Sequence, residues 1–322
     1  MAFPNLNDIV ATTIENRQKE VADNVTKHNA VLQALRTIGN IKNATVSGGS
    51  TIMEELSFAE NGNGGFYSGY DTLATAAQDV ISSATYGLKQ AAAPVVISGL
   101  EELQNSGKEA MIDLLDARLE VAESTLMNII SASIYGDGTG TSGKAITGLA
   151  AAVPVSNATG TYGGIDRATW AFWRNKKRKG AGTDFAGTLD ATNIVAQMNA
   201  LYMSQVRTND KPNLMVTGID LYGIYESTLI AQQRFSSTSQ AQAGFDTLMF
   251  KGVPVVFDTN GIPAGVLYSL NTKYLKFRTH KDRNFSKLDN RIAYAQDAKV
   301  EIMVWAGNLT CSNAGLQGVL SN

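Results

Sequence analysis

Between Ser98 and Tyr135 the chain carries an apolar series that only an α-helix gathers on one side. Met111, Leu115, Leu119, Ala122, Leu126 and Ile129 recur at steps of three and four. At 1.5 Å per residue, a helix of roughly 36 residues reaches about 54 Å. Gly107, near its start, is where such a helix is expected to break or kink. Asp113, Asp116, Glu120 and Glu123 form a separate acidic stripe. Its plain reading is a solvated face; in a packed lattice it would instead meet a basic neighbour. Gly136-Asp-Gly-Thr-Gly-Thr-Ser-Gly-Lys144 then stops the helix and opens a glycine-rich loop.

The segments before this helix have less to bury. Residues from about Asp8 to Ile38 read as a helix, capped by Asp8 and ended by Gly39-Asn40. Val21, Val25, Leu32 and Leu35 make a narrow stripe with His28 on the same side, which suits an arm lying along another surface. From about Val46 to Ile97, short alternating runs such as Thr51-Ile-Met-Glu-Glu-Leu-Ser-Phe58 flank a glycine-rich tip, Asn61-Gly-Asn-Gly-Gly65. Aromatics follow at Phe66, Tyr67, Tyr70 and Tyr86. The pattern predicts a long two-stranded arm. An isolated hairpin is marginal in water, so a neighbouring subunit is expected to support it. An ordinary sheet within one domain is the alternative.

After the helix, Ser156 to Gly187 is loose and holds Trp170, Phe172, Trp173 and the run Arg174-Asn-Lys-Lys-Arg-Lys179. From Asp190 the pattern becomes α/β. Asp190 caps a helix with Ile194, Val195, Met198, Leu201 and Tyr202, and Ile219 to Leu229 is a second helix. Strands are expected at Asn213 to Thr217, Val253 to Phe257, Val266 to Leu270, Tyr274 to Thr279, Lys299 to Trp305 and Gly315 to Leu320.

Charge narrows the function classes. Hydrophobic residues make up 44% but charged ones only 17%, against about a quarter in an average protein. Copies of the chain covering one another would account for so little solvated surface. A formal net charge of -2 excludes a strongly basic nucleic-acid binder. Cys311 is the only cysteine, so there is neither an intrachain disulfide nor a thiolate cluster. His28 and His280 are the only histidines, which leaves little for a zinc site or a catalytic base. No stretch approaches 18 apolar residues, and Met1 to Asp8 lacks the regions of a secretion signal. The expectation is a protein kept in a reducing cytoplasm, where the Asn24 and Asn308 triplets have no glycosylation meaning.

Gly138-Thr-Gly-Thr-Ser-Gly-Lys-Ala145 nearly matches a phosphate-binding loop, but Ala145 lacks the hydroxyl that ligates Mg²⁺. The loop also follows a helix, whereas a phosphate loop follows a strand. Gly138, Gly140 and Gly143 spell a dinucleotide fingerprint that fails for the same reason. The adjacent carboxylates Glu54-Glu55 and Glu101-Glu102 point apart on any regular element and make no acid/base pair. No catalytic residue, cofactor or metal is expected. Arg174, Lys176, Lys177, Arg178 and Lys179 leave two readings open: contact with DNA phosphates, or docking on an acidic neighbour.

The order of these pieces resembles the tailed-bacteriophage major capsid family, the Hong Kong 97-like fold, over about Val46 to Leu320. A glycine-tipped arm precedes the long helix. That helix exits through Tyr135-Gly-Asp-Gly-Thr-Gly140 and Ile146-Thr-Gly-Leu149, and Phe250-Lys-Gly-Val-Pro-Val-Val256 follows later. The resemblance implies an α+β fold: an N-terminal arm helix at 1–45, an E-loop at 46–97, a P-domain from 98–149 and 271–305 with spine helix 98–135, and an α/β A-domain from 150–270 and 306–322. It implies a non-enzymatic subunit that assembles as hexamers and pentamers of an icosahedral shell around double-stranded DNA, with separate scaffolding and portal proteins and no membrane. Phe66, Tyr67 and Tyr70 would be the E-loop's intersubunit contacts. Lys89 lies at the base of the arm, away from its tip, so the family's covalent crosslink is not carried over. Competing readings are a bacterial compartment shell around an enzyme, a nucleotide hydrolase using Gly138 to Lys144, and a filament-forming array.

Overall fold

The computed structural model describes residues 29–38, 45–46, 49, 51–104, 108–229, 248–292 and 298–322. Helix α1 spans Ala30–Ile38. Asn29 caps it by accepting the Leu32 N–H. Its first N–H also donates to the buried Asp258 carboxylate, which holds the Tyr135 hydroxyl at 2.6 Å as well. Val31 and Leu35 are fully buried in the chain's own core. This part of the expected N-terminal arm therefore packs inward, where the sequence suggested a helix resting on another surface. His28 and the rest of that helix lie outside the described residues.

Strand β1 (Thr45–Val46) is followed by β2 (Thr51–Ser57) and β3 (Ile81–Gly87), a hairpin in register from Thr51 opposite Gly87 to Ser57 opposite Ile81. Strand β4 (Lys89–Ser98) leaves the hairpin and pairs along β14 (Ala298–Cys311), from Ser98 opposite Ala298 to Lys89 opposite Gly307. Of the 46–97 segment, residues 51–87 therefore form the arm and 89–98 belong to the central sheet. Five strands make that sheet. Strand β12 (Leu275–His280) joins β1 to β14, and β13 (Ser286–Ile292) and β4 also pair with β14. Strand β14 runs without interruption to Cys311, beyond the 305/306 boundary expected from the sequence.

The long helical segment begins as α2 (Gly99–Gln104) and continues as α3 (Lys108–Ile134). Ser98 and Glu101 form a capping box: Glu101 N–H donates to Ser98 Oγ at 3.3 Å, and Ser98 N–H to Glu101 Oε2 at 3.1 Å. Arg118 of α3 then pairs with Glu101 at 3.2 Å and donates to the Val96 carbonyl, tying strand, short helix and long helix together. The buried face of α3 reads Leu119, Ala122, Leu126, Ile130 and Ile134. Ile129, counted on that face from the sequence, is half exposed, because four residues on from Leu126 the helical period selects Ile130. At the helix exit, a Cβ on Gly148 would stand 2.2 Å from the Ile134 carbonyl oxygen. The Thr-Gly-Leu motif therefore needs its glycine for the chain to turn back against α3.

A small hairpin, β5 (Thr161–Tyr162) with β6 (Ile165–Asp166), precedes a six-stranded sheet ordered β7-β15-β11-β8-β10-β9. Its strands are β7 (Lys176–Lys179), β8 (Leu214–Thr217), β9 (Leu248–Phe250), β10 (Val253–Phe257), β11 (Val266–Leu270) and β15 (Gly318–Ser321). Helices α4 (Ile194–Gln205) and α5 (Ile219–Thr228) cover one face, burying Met198, Leu201, Leu221 and Tyr225 against Met215, Val255 and Leu267. The other face buries Val216, Val256, Tyr268 and Val319 in the core shared with α1, α3 and the five-stranded sheet. Burial on both faces is why β8, β11 and β15 are mostly apolar and carry no charged residue. Asp190 closes a turn ahead of α4 by accepting the Thr192 and Asn193 N–H groups.

Candidate intersubunit surfaces

The arm divides at Phe58. Along β2 the two-residue period turns Ile52, Glu54 and Leu56 inward and Met53 and Glu55 outward. The inward carboxylate is surrounded. Lys276 donates to one oxygen at 2.9 Å, while Arg278, at 2.7 Å, and the Thr310 hydroxyl, at 3.0 Å, donate to the other. Burial alone would raise the Glu54 carboxyl. The hydrogen bonds from Lys276 and Arg278, with their charges, override that and hold it below the usual carboxylate range. On β3, the buried Tyr86 hydroxyl donates to the Cys311 carbonyl at 2.7 Å, and its ring meets Tyr162 edge-on at 5.2 Å. Thr85 N–H donates to the Gly163 carbonyl. A Cβ on Gly163 would strike Tyr86 Oη at 2.9 Å, so the approach depends on that glycine. Phe58 closes the base by stacking on Phe172 and meeting Trp170 edge-on.

Beyond Phe58, among the described residues, the chain holds itself by hydrogen bonds within the arm. Asn63 reaches across to the Ala76 carbonyl, and Ser68 N–H donates to Asp71. Phe66 is 110% exposed, Tyr67 67% and Tyr70 106%. Leu73 and Ile81 are also open to water. The three aromatics named from the sequence thus all stand exposed in the one loop beyond Phe58. Tyr86, grouped with them in the sequence, belongs to the buried base.

Glu120 and Glu123 lie on the exposed side of α3, beside the half-exposed Val121. Asp113 and Asp116 fall within α3, but their side chains lie outside the described residues. The basic run is a finding against expectation. It is not a loose loop: Lys176–Lys179 pair parallel with β15, Lys176 opposite Gly318 and Lys179 opposite Ser321. Arg174 donates to the carbonyls of Arg167 and Ala168, and Arg178 to Gln197 of α4, so two of the five cations serve the fold. Lys176 is exposed; Lys177 and Lys179 are partly so. Among the described residues no ion pair joins this strand to the acidic side of α3.

The glycine loop after α3 contains a single turn at Gly140–Gly143 with Thr141 and Ser142 in the left-handed region. It has a helix, α3, where a phosphate loop has a strand. Among the described residues no group of three or more His, Cys, Asp or Glu is placed to hold a metal ion. None of their helices is long and apolar enough to cross a membrane. Cys311 is fully buried, and burial pushes its thiol up to about 12.

No protein-family model matches the chain, and no curated protein sequence matches it. Solved structures do match, over nearly its whole length. The capsid asymmetric unit of cyanophage A-1(L) superposes with a TM-score of 0.70 at 18% identity, covering 96% of each chain. The capsid of a native GTA particle gives 0.64 at 16% identity, covering 96% of this chain and 95% of that one. The capsid of the Myoviridae phage XM1 gives 0.57 at 14% identity, with 96% of each covered. At such low identity the likeness lies in the course of the backbone: this chain has the α+β Hong Kong 97-like fold of tailed-phage major capsid proteins.

Proposed function

We propose that the chain is a shell-forming subunit, the major capsid protein of a tailed phage, whose work is self-assembly and not catalysis. The observation that carries this is the arm tip. Phe66, Tyr67 and Tyr70 stand exposed close together in sequence, Phe66 and Tyr70 more fully than any other large apolar side chain described, and clustered exposed apolar surface marks an interaction site. Burying apolar surface yields roughly 25 cal/mol per Å² before ordering costs. Single contacts are therefore weak, and a closed lattice sums them because every subunit both gives and receives.

On this reading the arm is an E-loop, α3 the spine of a P-domain together with the five-stranded sheet, and the six-stranded sheet with α4 and α5 an A-domain. Copies would form hexamers and pentamers of an icosahedral virion shell around double-stranded DNA, assembled in the host cytoplasm with separate scaffolding and portal proteins. Lys176, Lys177 and Lys179 at the sheet edge would face either DNA or an acidic neighbour. Electron microscopy of the purified chain is the test. Closed shells are expected; filaments, or monomers at every concentration, contradict the proposal.

A further inference from the structure

The chain contains three Asn-Gly pairs, Asn61-Gly62, Asn63-Gly64 and Asn260-Gly261. In such a pair the main-chain nitrogen of the glycine can attack the preceding side-chain amide, because no Cβ crowds its approach. The attack closes a succinimide ring within one chain, so it needs no enzyme and profits from a nucleophile already held beside its target. Its rate depends on whether the glycine nitrogen is free and whether the amide carbonyl is polarised. The fold sets these two conditions differently at the three pairs.

At Asn61 both conditions are met. The residue is exposed at the start of the arm tip, and its Oδ1 accepts the Asn63 N–H at 3.0 Å. That donor lies on the oxygen where negative charge gathers during the attack. Among the described residues the Gly62 N–H has no acceptor, and neither has the Asn61 Nδ2. At Asn63 the nucleophile is engaged: the Gly64 N–H donates to the Asn61 carbonyl at 3.1 Å, and the Asn63 amide itself donates across the arm to the Ala76 carbonyl. Asn260 is buried, its N–H donating to Asp258 at 2.8 Å and its Nδ2 to the Asn128 carbonyl at 3.5 Å. Gly261 is pressed against α3, where a Cβ would stand 3.0 Å from Ala132.

We propose that Asn61 is a self-modification site, deamidating through Gly62 with a preference over the other two pairs that the fold imposes. The Gly62 nitrogen bonds to Asn61 Cγ and gives its proton to solvent. The Cγ–Nδ2 bond then breaks, and Nδ2 takes a proton from solvent and leaves as ammonia. Water opens the succinimide at either carbonyl, which leaves aspartate or isoaspartate at the site of Asn61. The balance is a water consumed and an ammonia released, with no change of oxidation state. The product adds a carboxylate to an arm that, from Thr51 to Leu88, already has Glu54, Glu55, Glu60, Asp71 and Asp79 and neither Lys nor Arg. The isoaspartate form also inserts a methylene into the main chain at the turn. None of this depends on the self-assembly reading.

The test ages the full chain in mildly alkaline buffer, folded and in urea, and follows each pair by peptide mass mapping and an isoaspartate-specific methylation assay. In the folded chain Asn61 should lead Asn63 by roughly tenfold, with Asn260 slower still. In urea the two tip pairs should react at similar rates, because the hydrogen bonds that separate them are gone. Gly62→Ala, whose Cβ would meet Gln78 Oε1 at an ordinary 3.5 Å, should keep the parent's unfolding midpoint and slow the reaction at Asn61. Equal rates at Asn61 and Asn63 in the folded chain, a lead that persists in urea, an unchanged rate in Gly62→Ala, or an inert Asn61 in a folded chain that reacts in urea would each overturn the proposal.

Discussion

The two ends of one hairpin have opposite physics. At its base, Glu54, Tyr86, Ile52 and Leu56 are buried against the chain's own sheet, and every polar group named there has a partner. At its tip, some ten residues on, Phe66 and Tyr70 are fully exposed, and hydrogen bonds within the arm itself shape the backbone. The base spends its chemistry on fixing the direction of the arm; the tip keeps its apolar surface for something else. A hairpin that served only the monomer would bury both ends or neither. The difference teaches that the arm is anchored within its own chain, while its tip keeps apolar surface that, on the proposed reading, a second copy covers.

The strongest blow to the base is Glu54→Ala. It leaves Lys276 and Arg278 facing a gap on a mostly buried surface, and about 3 kcal/mol should be lost, read as a lower denaturant midpoint with unchanged slope. The same carboxylate sets an acid dependence. Its folded pKa is lowered, so its contribution is fully present above the unfolded carboxylate range and is lost as pH falls through the lowered folded value. Glu54→Gln should therefore flatten the acid limb of the stability profile below the ordinary glutamate range. A limb as steep as in the parent would place that titration elsewhere. Tyr86→Phe removes the buried donation to the Cys311 carbonyl at 2.7 Å and the longer acceptance from the Cys311 N–H at 3.4 Å, and should cost about 1 kcal/mol. At the tip, Phe66→Ala combined with Tyr70→Ala should move the monomer's unfolding by less than about 0.5 kcal/mol while impairing assembly. A large loss of monomer stability from that pair would erase the distinction between tip and base.

Much of this was legible in the sequence, for reasons that differ by element. Helix α3 announces itself through a long 3.6-residue period and a glycine stop, and the tip through its glycines and aromatics. The face of α3 drifted by one position at Ile129 because a count of spaced apolar residues cannot choose between neighbours that are both isoleucine. Glu54 was read only as half of an adjacent pair pointing apart. That is true of Glu54 and Glu55, yet the alternation Ile52-Glu54-Leu56 already set it on the inward face. The Ser98–Glu101 capping box was likewise readable and lay hidden in another carboxylate pair. Strand β7 was not legible, because five cations in six residues suggest a solvated loop, and what makes them a strand is β15, some 140 residues later. The ties from Glu54 to Lys276 and from Tyr86 to Cys311 are equally nonlocal, which is why the base of the arm looked unsupported in the sequence.

The claim beneath all of this is that the arm tip contributes to the lattice and not to the fold. Deleting Asn61 to Tyr70 and following the product by sedimentation and thermal unfolding tests it most directly. The account predicts a soluble subunit with the parent's unfolding midpoint that never sediments as particles. Normal particles from the shortened chain, or a subunit that no longer folds, would contradict it.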